Sequence, residues 1–212
     1  MINLILDCSC GMNVYLVCGA DIYSKVDSTQ NKHSDELLVV VDDLLKSAGV
    51  KIGQVDNFCV CVGPGSFTGV RVAISLIKGL AVASNSKVYV LSNFDIFDVD
   101  LEDDTVFVLD GFSNFVYVRK KFNGQIIDEC IDVNQLKKDV FDNNLKVKVL
   151  FEKTQNILNR FEIQSNLVNN RIIDAFNKEI EKGQSVELNQ IFPVYLRASQ
   201  AEIEREKKLK NG

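Results

Sequence analysis

One pattern of residues occurs twice in the chain, about 100 residues apart, and it limits the possible folds more than any other feature. In the first copy an apolar strand, Leu4–Asp7, ends in an aspartate, turns, and returns through Val14–Val17. In the second copy Phe107–Asp110 and Val116–Val118 repeat the pattern, and a Val-Tyr pair opens both return strands. Two hairpins could resemble each other by chance, but here the order of the following elements also repeats. A period of this length predicts duplicated domains rather than the short repeats of a solenoid.

The hydrophobic periodicity predicts a similar series of elements in each half, in which a meander of three strands precedes a helix and a further strand. In the first half we expect strands at Ile2–Asp7, Met12–Cys18, Ile22–Asp27, Asn57–Val62 and Lys87–Leu91, with helices at His33–Ala48 and Thr68–Ser84. In the second half we expect strands at Thr105–Asp110, Phe115–Phe122, Gln125–Ile131 and Lys146–Phe151, helices at Asn134–Phe141 and Arg171–Lys182, and an extended Ile191–Arg197. The expected fold is therefore α/β, with two duplicated domains that each contain a mixed five-stranded sheet. The expected domains are 1–100 and 101–197, followed by a charged helix over 198–212.

The composition narrows the function classes. Hydrophobic residues make up 46% of the chain and charged residues 25%, and the net charge is −5. An acidic chain of this kind is not expected to bind nucleic acid by itself, because a basic surface supplies most of that affinity, although it could touch RNA within a complex. No uninterrupted apolar run approaches the roughly 18 residues of a membrane-spanning helix, and Asp7 interrupts the apolar start. We therefore expect no membrane contact and a cytoplasmic location, where the six cysteines would be reduced thiols.

A glycine-rich loop connects a buried strand to the longest predicted helix. Its sequence is Gly63-Pro64-Gly65-Ser66-Phe67-Thr68-Gly69. The glycines permit tight turns, the proline restricts one backbone angle, and Ser66 or Thr68 is a suitable N-cap for the helix. A plain strand-to-helix turn would explain these residues. The loop lacks the Lys-Ser/Thr pair with which a Walker A loop reaches the terminal phosphate and magnesium.

The helix after this loop is apolar on nearly all sides, whereas a surface helix normally has one apolar stripe. Small residues also recur along it at a spacing of four: Gly69, Ala73 and Ala81 form one row, interrupted only by Ile77, and Ser75, Gly79 and Ala83 form the next. Such rows allow another helix to approach closely. The pattern predicts that one face covers the sheet and the other meets a partner subunit; the alternative is a helix buried within this chain.

The sequence contains few residues suited to catalysis or metal binding. The chain has one histidine, His33, which precedes the first predicted helix. The Cys8/Cys10 and Cys59/Cys61 pairs could each direct two thiols to one side of a strand, but Cys10 lies in a turn and the second pair lies in a buried strand. We therefore expect no catalytic residue, no cofactor and no metal ion.

Four segments resemble the bacterial TsaB (YeaZ) family. The most specific is Val62–Val72, and the others are Leu4–Asp7, His33-Ser34 before a helix that contains Leu38, and Pro193–Arg197. The order of elements also resembles the sugar-kinase, Hsp70 and actin superfamily, whose domains have a ribonuclease-H-like plan. Its active members bind ATP phosphates at turns of Gly and Ser/Thr after the two strand-end aspartates. Here the second turn is Asp110-Gly111-Phe112, where this family often has Asp-Ala-Arg.

The resemblance implies a non-catalytic scaffold subunit of the machinery that makes threonylcarbamoyladenosine in tRNA. Such a subunit pairs with its catalytic paralogue TsaD, is joined by the ATPase TsaE, reaches tRNA only through the complex, and forms a homodimer when alone. It also implies that the glycine loop and the following helix form the partner interface, for which we expect Gly63, Pro64, Gly65, Ser66, Phe67, Thr68, Gly69, Arg71, Val72, Ser75, Gly79 and Ala83.

Three other functions remain open at this point. The first is an active ATP-dependent phosphotransferase of the same superfamily, against which the two turns argue. The second is a peptidase-like regulator, against which the single histidine argues. The third is a regulatory protein whose homodimer is its final assembly.

Overall fold

The computed structural model describes residues 1–27, 33–97, 101, 104–111, 113–122, 124–143, 145–149 and 168–197. The fold is α/β with two mixed sheets, and the chain divides into two compact units. The first unit comprises Met1–Asp98 and Val168–Val194. The second takes the described residues from 101 to 149 and from 195 to 197.

The first unit is built on a five-stranded mixed sheet, as the sequence predicts. Its strands are β1 (Ile2–Asp7), β2 (Met12–Cys18), β3 (Asp21–Asp27), β4 (Asn57–Cys61) and β5 (Lys87–Leu91), in the spatial order β3-β2-β1-β4-β5. The meander β1-β2-β3 is antiparallel, whereas β4 and β5 extend the sheet in parallel with β1. The carboxyl ends of β1, β4 and β5 therefore lie along one edge of the sheet.

Helices α1 (His33–Ser47) and α2 (Phe67–Ser84) cover one face of this sheet. Alternate residues of the strands point to these helices and form the core of the unit, among them Leu4, Leu6, Val14, Leu16, Phe58 and Val60. Helix α2 contributes Val70, Ala73, Ile74, Ile77 and Ala81 to the packing. The strands β1 and β4 are buried along almost their whole length, which explains their continuous apolar runs.

Two further helices, α3 (Asn93–Ile96) and α5 (Val168–Lys182), contact each other and β5. The sequence predicts Arg171–Lys182 as a helix of the second domain, but in the structure it lies within the first unit. The physical reason is its apolar stripe: Ile172, Ile173 and Phe176 are all buried.

The second unit contains the strands β6 (Thr105–Asp110), β7 (Phe115–Phe122), β8 (Gln125–Asp132) and β9 (Lys146–Val149), in the order β8-β7-β6-β9. Helix α4 (Val133–Asn143) contacts β8, and its Val133 and Leu136 pack with Val106, Val108, Val116, Val118 and Val147. A five-stranded sheet was expected, but the described residues supply four strands to it.

The segment expected to be extended, Ile191–Arg197, contains no helix, begins with extended backbone at Ile191 and is not paired into a strand. It follows a short 3-10 helix, Leu188–Gln190, and its Val194 N–H donates to the Val62 carbonyl at 2.8 Å. Pro193 has no N–H to donate, so the chain cannot continue a hydrogen-bonded ladder there. The expected terminal helix over 198–212 and the end of the predicted Lys146–Phe151 strand lie outside the described residues.

Within the part of the chain that the structure describes, α2 is long and apolar enough to cross a membrane by length and composition alone. A helix that packs in the core of a globular domain passes the same test, and five residues of α2 are buried against the first unit.

Candidate functional site

The turn after β1 is closed by its own hydrogen bonds. The Asp7 carboxylate accepts from the Ser9 backbone N–H at 2.9 Å and from the Ser9 hydroxyl at 2.6 Å, both on Oδ1. Its Oδ2 lies 3.5 Å from Nδ2 of Asn13. Asp7 and Ser9 are both buried. The aspartate that ends the first strand therefore stabilises the turn, and the Ser9 donors are already used within the chain.

The glycine loop packs directly on this turn. The Ser66 N–H donates to the Ser9 carbonyl at 2.7 Å. A Cβ atom on Gly65 would overlap the Ser9 carbonyl oxygen and would lie 2.7 Å from the Ser9 Cβ, and a Cβ atom on Gly69 would overlap the Cys8 carbonyl oxygen. The loop and the turn therefore touch backbone to backbone, at a distance that only glycine permits.

A buried asparagine connects this contact to the rest of the sheet edge. Asn93, the first residue of α3, donates from Nδ2 to the Ser9 hydroxyl at 2.8 Å and to the Pro64 carbonyl at 2.7 Å. Its Oδ1 accepts from the Cys61 thiol at 3.3 Å. Its backbone N–H donates to the Gly63 carbonyl at 2.7 Å. Sequence reasoning missed Asn93, although a polar Ser-Asn pair directly after a buried parallel strand is a signal that could have identified it.

Helix α2 begins at this anchored loop. Ser66 is its N-cap, and the Ser66 hydroxyl accepts from the Gly69 N–H at 3.2 Å. One face of the helix packs on the sheet through the buried Ala73, Ile77 and Ala81. The adjacent row of Arg71, Ser75, Gly79 and Ala83 is exposed. A Cβ atom on Gly79 would meet no other atom within 4 Å, so this face has room for another chain.

Exposed apolar side chains lie next to the exposed row of α2. Val82 is 73% exposed on α2 itself, and Leu38 is 56% exposed on α1. A shallow cavity of about 330 Å³ lies between the two helices and is lined by Leu37, Leu38, Arg71, Val72, Ser75 and Leu76. We call the exposed surface formed by Leu38, Arg71, Ser75, Gly79, Val82 and Ala83 the docking face.

The cations of α2 lie over aromatic rings. The Arg71 guanidinium is 3.7 Å from the centroid of the Phe67 ring, and Lys78 Nζ is 5.4 Å from that of Phe192. Helix α2 has no acidic residue, although the chain as a whole is acidic. A cation held over a ring retains its charge while its stem covers apolar surface.

Comparison with known proteins identifies the family. Residues 25–147, more than half of the chain, match the family described as TsaD: tRNA N6-adenosine threonylcarbamoyltransferase. The TsaB protein of Haemophilus influenzae, described as a tRNA threonylcarbamoyladenosine biosynthesis protein, is 33% identical over 93 residues, which are 42% of this chain and 39% of that protein. The chain is a TsaB (YeaZ) member of the TsaD family.

Other similarities agree with this assignment. The tRNA N6-adenosine threonylcarbamoyltransferase of Fusobacterium nucleatum is 27% identical over 48% of this chain and 32% of that protein. The matches thus span less than half the length of these curated relatives. The structure of YeaZ from Pseudomonas aeruginosa superposes with a TM-score of 0.68, covering 92% of this chain and 99% of that one at 22% identity. The resemblance to the TsaB (YeaZ) family that the sequence motifs indicate is confirmed.

The structure separates the predicted interface residues into three groups. Gly63 and Pro64 are buried, so they cannot touch a partner directly and instead anchor the loop. Gly65, Gly69 and Val72 are half-buried. The remaining residues are exposed: Ser66, Phe67, Thr68, Arg71, Ser75, Gly79 and Ala83.

Two side chains of the docking face, Leu38 and Val82, were not predicted as part of the interface. Both are exposed in the structure. The run Leu37-Leu38-Val39-Val40-Val41 contains more consecutive apolar residues than a single stripe needs, and this excess is the signal for a second apolar face.

Three thiols of the first unit, those of Cys8, Cys59 and Cys61, are buried, and burial favours their protonated form. Burial, and then the charge of Asp7, raise the pKa of the Cys8 thiol to about 12. The same two causes raise the pKa of Cys61, and burial raises that of Cys59. Thiolates bind metals and thiols do not, and among the described residues no group of three or more His, Cys, Asp or Glu side chains could hold a metal ion.

The turn after β6 is also tightly packed at its first residue. A Cβ atom on Gly111 would overlap the Phe115 carbonyl oxygen, and Ser113 adopts a left-handed backbone with φ of 59°. Phe112, the next residue of this turn in the sequence, lies outside the described residues.

Proposed function

We propose that this protein is a non-catalytic scaffold subunit of the machinery that makes threonylcarbamoyladenosine in tRNA, and that its docking face binds the catalytic paralogue TsaD. The observation that carries the proposal is the exposed row Ser75, Gly79 and Ala83 on an apolar helix, beside the exposed Leu38. Small side chains flanked by larger apolar ones form the kind of surface that a partner helix packs on.

The absence of catalysis by the isolated chain is supported by the turn after β1. A phosphate or substrate at this turn would need free donors, but the Ser9 donors bind Asp7 and the glycine loop occupies the adjacent space. The alternative of an ATP-dependent phosphotransferase is disfavoured for this reason. The single histidine likewise disfavours the peptidase-like alternative.

The wider assembly follows from the same family membership. In this proposal TsaD contacts the chain directly, the ATPase TsaE joins the complex, and tRNA reaches it through the other subunits. Without TsaD, two copies of the chain would cover their docking faces as a homodimer. The cytoplasm is the proposed location, because all six cysteines are thiols and a reducing compartment keeps them so.

We also propose that the two units are duplicated domains of the ribonuclease-H-like plan. Each begins with an antiparallel meander of three strands, followed by a helix and then a strand parallel to the first. The strand orders β3-β2-β1-β4 and β8-β7-β6-β9 correspond position by position.

Gly79→Arg tests the proposed interface. The exposed position and the open space around Gly79 predict that the variant folds with an unchanged or slightly higher melting temperature, because arginine is a better helix former than glycine. An arginine buried without a partner costs several kcal/mol, so the affinity for TsaD, measured by titration calorimetry, should fall at least about 100-fold.

Gly53→Arg is the matched control, because Gly53 is also exposed with open space around its Cα and lies outside the docking face. This variant should bind TsaD as the unchanged protein does. A folded Gly79→Arg protein with full affinity for TsaD would refute the interface.

A further inference from the structure

We propose that Asn93 is a positioning residue that holds the glycine loop against the β1 turn and thereby sets the orientation of the docking face. Its side chain binds three segments that are distant in sequence: the β1 turn at Ser9, the end of β4 at Cys61, and the glycine loop at Pro64. The consequence for partner binding rests on the proposed function, whereas the consequence for the loop does not.

The amide group of Asn93 is engaged at both of its ends. Its nitrogen donates two hydrogen bonds, to Ser9 and Pro64, and its oxygen accepts one from Cys61. An amide offers two donors and an acceptor in this arrangement, whereas a carboxylate has no donor and a hydroxyl has one. Asn93 is 7% exposed, so water cannot easily replace these partners.

The bonds form a chain with a consistent direction. The Cys61 thiol donates to Asn93, Asn93 donates to the Ser9 hydroxyl, and that hydroxyl donates to the Asp7 carboxylate. Each bond in such a chain polarises the next, and the negative charge at its end strengthens the last one. The network therefore fixes Ser9 and the loop together.

The position of α2 depends on this network through the loop. Asn93 binds Gly63 and Pro64, Ser9 accepts from Ser66, and Ser66 caps α2. Because glycines contribute no side chains, these polar contacts set how the loop lies on the turn. Arg71 follows within the first turns of α2, so an error in the loop would displace this end of the docking face.

The first test is hydrogen exchange on Asn93→Ala without any partner. The amides of Ser66 and Gly69 should exchange about tenfold faster, which corresponds to the loss of one buried hydrogen bond. The Asn85 amide, which donates to Ala81 at the other end of α2, should keep its rate. A uniform increase along α2 would mean general destabilisation and would overturn the proposal.

Asn57→Ala is the matched control. Asn57 is also a buried asparagine, and it donates to Asn3 at 2.9 Å near the opposite ends of β1 and β4. This variant should lose comparable stability but keep the protection of Ser66 and Gly69. Equal exchange profiles for the two variants would contradict a positioning role. If Asn93→Ala does not fold, Ser9→Ala removes one link of the network and must produce the same local change.

The second test is binding to TsaD at a temperature where both variants are fully folded. Asn93→Ala should bind at least about tenfold more weakly, whereas Asn57→Ala should bind normally. Equal affinities would overturn the link to the docking face. If the unchanged protein does not bind TsaD, the proposed function fails, and the exchange experiment still decides whether Asn93 positions the loop.

Discussion

Gly69 and Gly79 of α2 have different surroundings. At Gly69 the neighbouring Cys8 carbonyl occupies the space that a Cβ atom would take. At Gly79 that space is empty, and the glycine costs the helix backbone entropy without relieving any contact within this chain. Gly69 is therefore explained by the fold of the first unit, whereas no contact among the described residues explains Gly79.

Alanine at each of these two positions should change stability in opposite directions. Gly69→Ala should lower the free energy of unfolding by about 1–3 kcal/mol, because the new methyl group meets a backbone atom that cannot move away freely. Gly79→Ala should raise it by roughly 0.5–1 kcal/mol, which is the usual advantage of alanine in a helix. Urea unfolding of both variants measures the difference, and equal effects would show that the contact with Cys8 is unimportant.

At the scale of elements, ion pairs join β7 to β8. Arg119 and Asp128 lie directly opposite each other and make two bonds, of 2.7 Å from Nε and 2.9 Å from an Nη atom. Lys120 and Glu129 make a single contact of 3.1 Å. A planar guanidinium that binds both carboxylate oxygens fixes the relative position of the strands better than a flexible lysine does.

Asp128→Asn should therefore destabilise this hairpin more than Glu129→Gln does. The first change leaves a partly buried arginine with a weaker partner, at a cost of roughly 1–3 kcal/mol. The second removes a more exposed pair, whose contribution is about 0.2–1 kcal/mol. Hydrogen exchange of the β7 amides reports both values, and a larger effect for Glu129→Gln would refute this ranking.

Most helices and strands of the first unit were predictable, because the hydrophobic pattern of each segment is compatible with only one type of secondary structure. The run Asn57–Cys61 is too short for a helix and is apolar throughout most of its length, as a buried parallel strand must be. The exposure of Leu38 was not predicted, because helical periodicity within five consecutive apolar residues does not reveal which side faces the sheet. The polar Ser-Asn pair marks Asn93 in the sequence, but its partners could not be predicted, because they lie far away in sequence and are brought to it by the parallel pairing of β1, β4 and β5.

At the scale of the whole molecule, the path of the chain was the hardest feature to predict. The amphipathic pattern of α5 indicates a helix with one buried side, but it does not indicate which sheet buries that side. The structure assigns α5 to the first unit, although the chain has passed through the strands of the second unit before reaching it. The local hydrophobic pattern predicts that a segment is a helix or a strand. Which of two similar sheets a helix packs on depends on tertiary contacts that form only on folding.

Alkaline pH should weaken the first unit through its buried thiols. In the folded chain burial raises the pKa of Cys8 from 9.0 to about 12. Between these two values the unfolded chain loses the thiol proton while the folded chain keeps it, so unfolding becomes easier as pH rises. The contribution is complete below about pH 9 and is lost progressively up to about pH 12.

Cys8→Ala and Cys8→Ser should both make this dependence shallower, whatever their stability at neutral pH, because neither side chain titrates there. Part of the dependence should remain, because burial also raises the pKa of Cys59 and Cys61. The measurement is the free energy of unfolding at several pH values from about 8 to about 11, the accessible part of that window. Curves that stay parallel to that of the unchanged protein would show that Cys8 does not titrate on unfolding.

The buried cysteines also allow the opening of the first unit to be measured by chemical labelling. Cys8, Cys59 and Cys61 all lie in the first unit and are almost inaccessible, whereas Cys10, Cys18 and Cys130 are partly accessible. An alkylating reagent would mark the accessible thiols first, and the other three only in molecules whose first sheet has come apart. The mass distribution after a short labelling pulse would therefore count opened molecules directly, without a dye, a tag or a substitution.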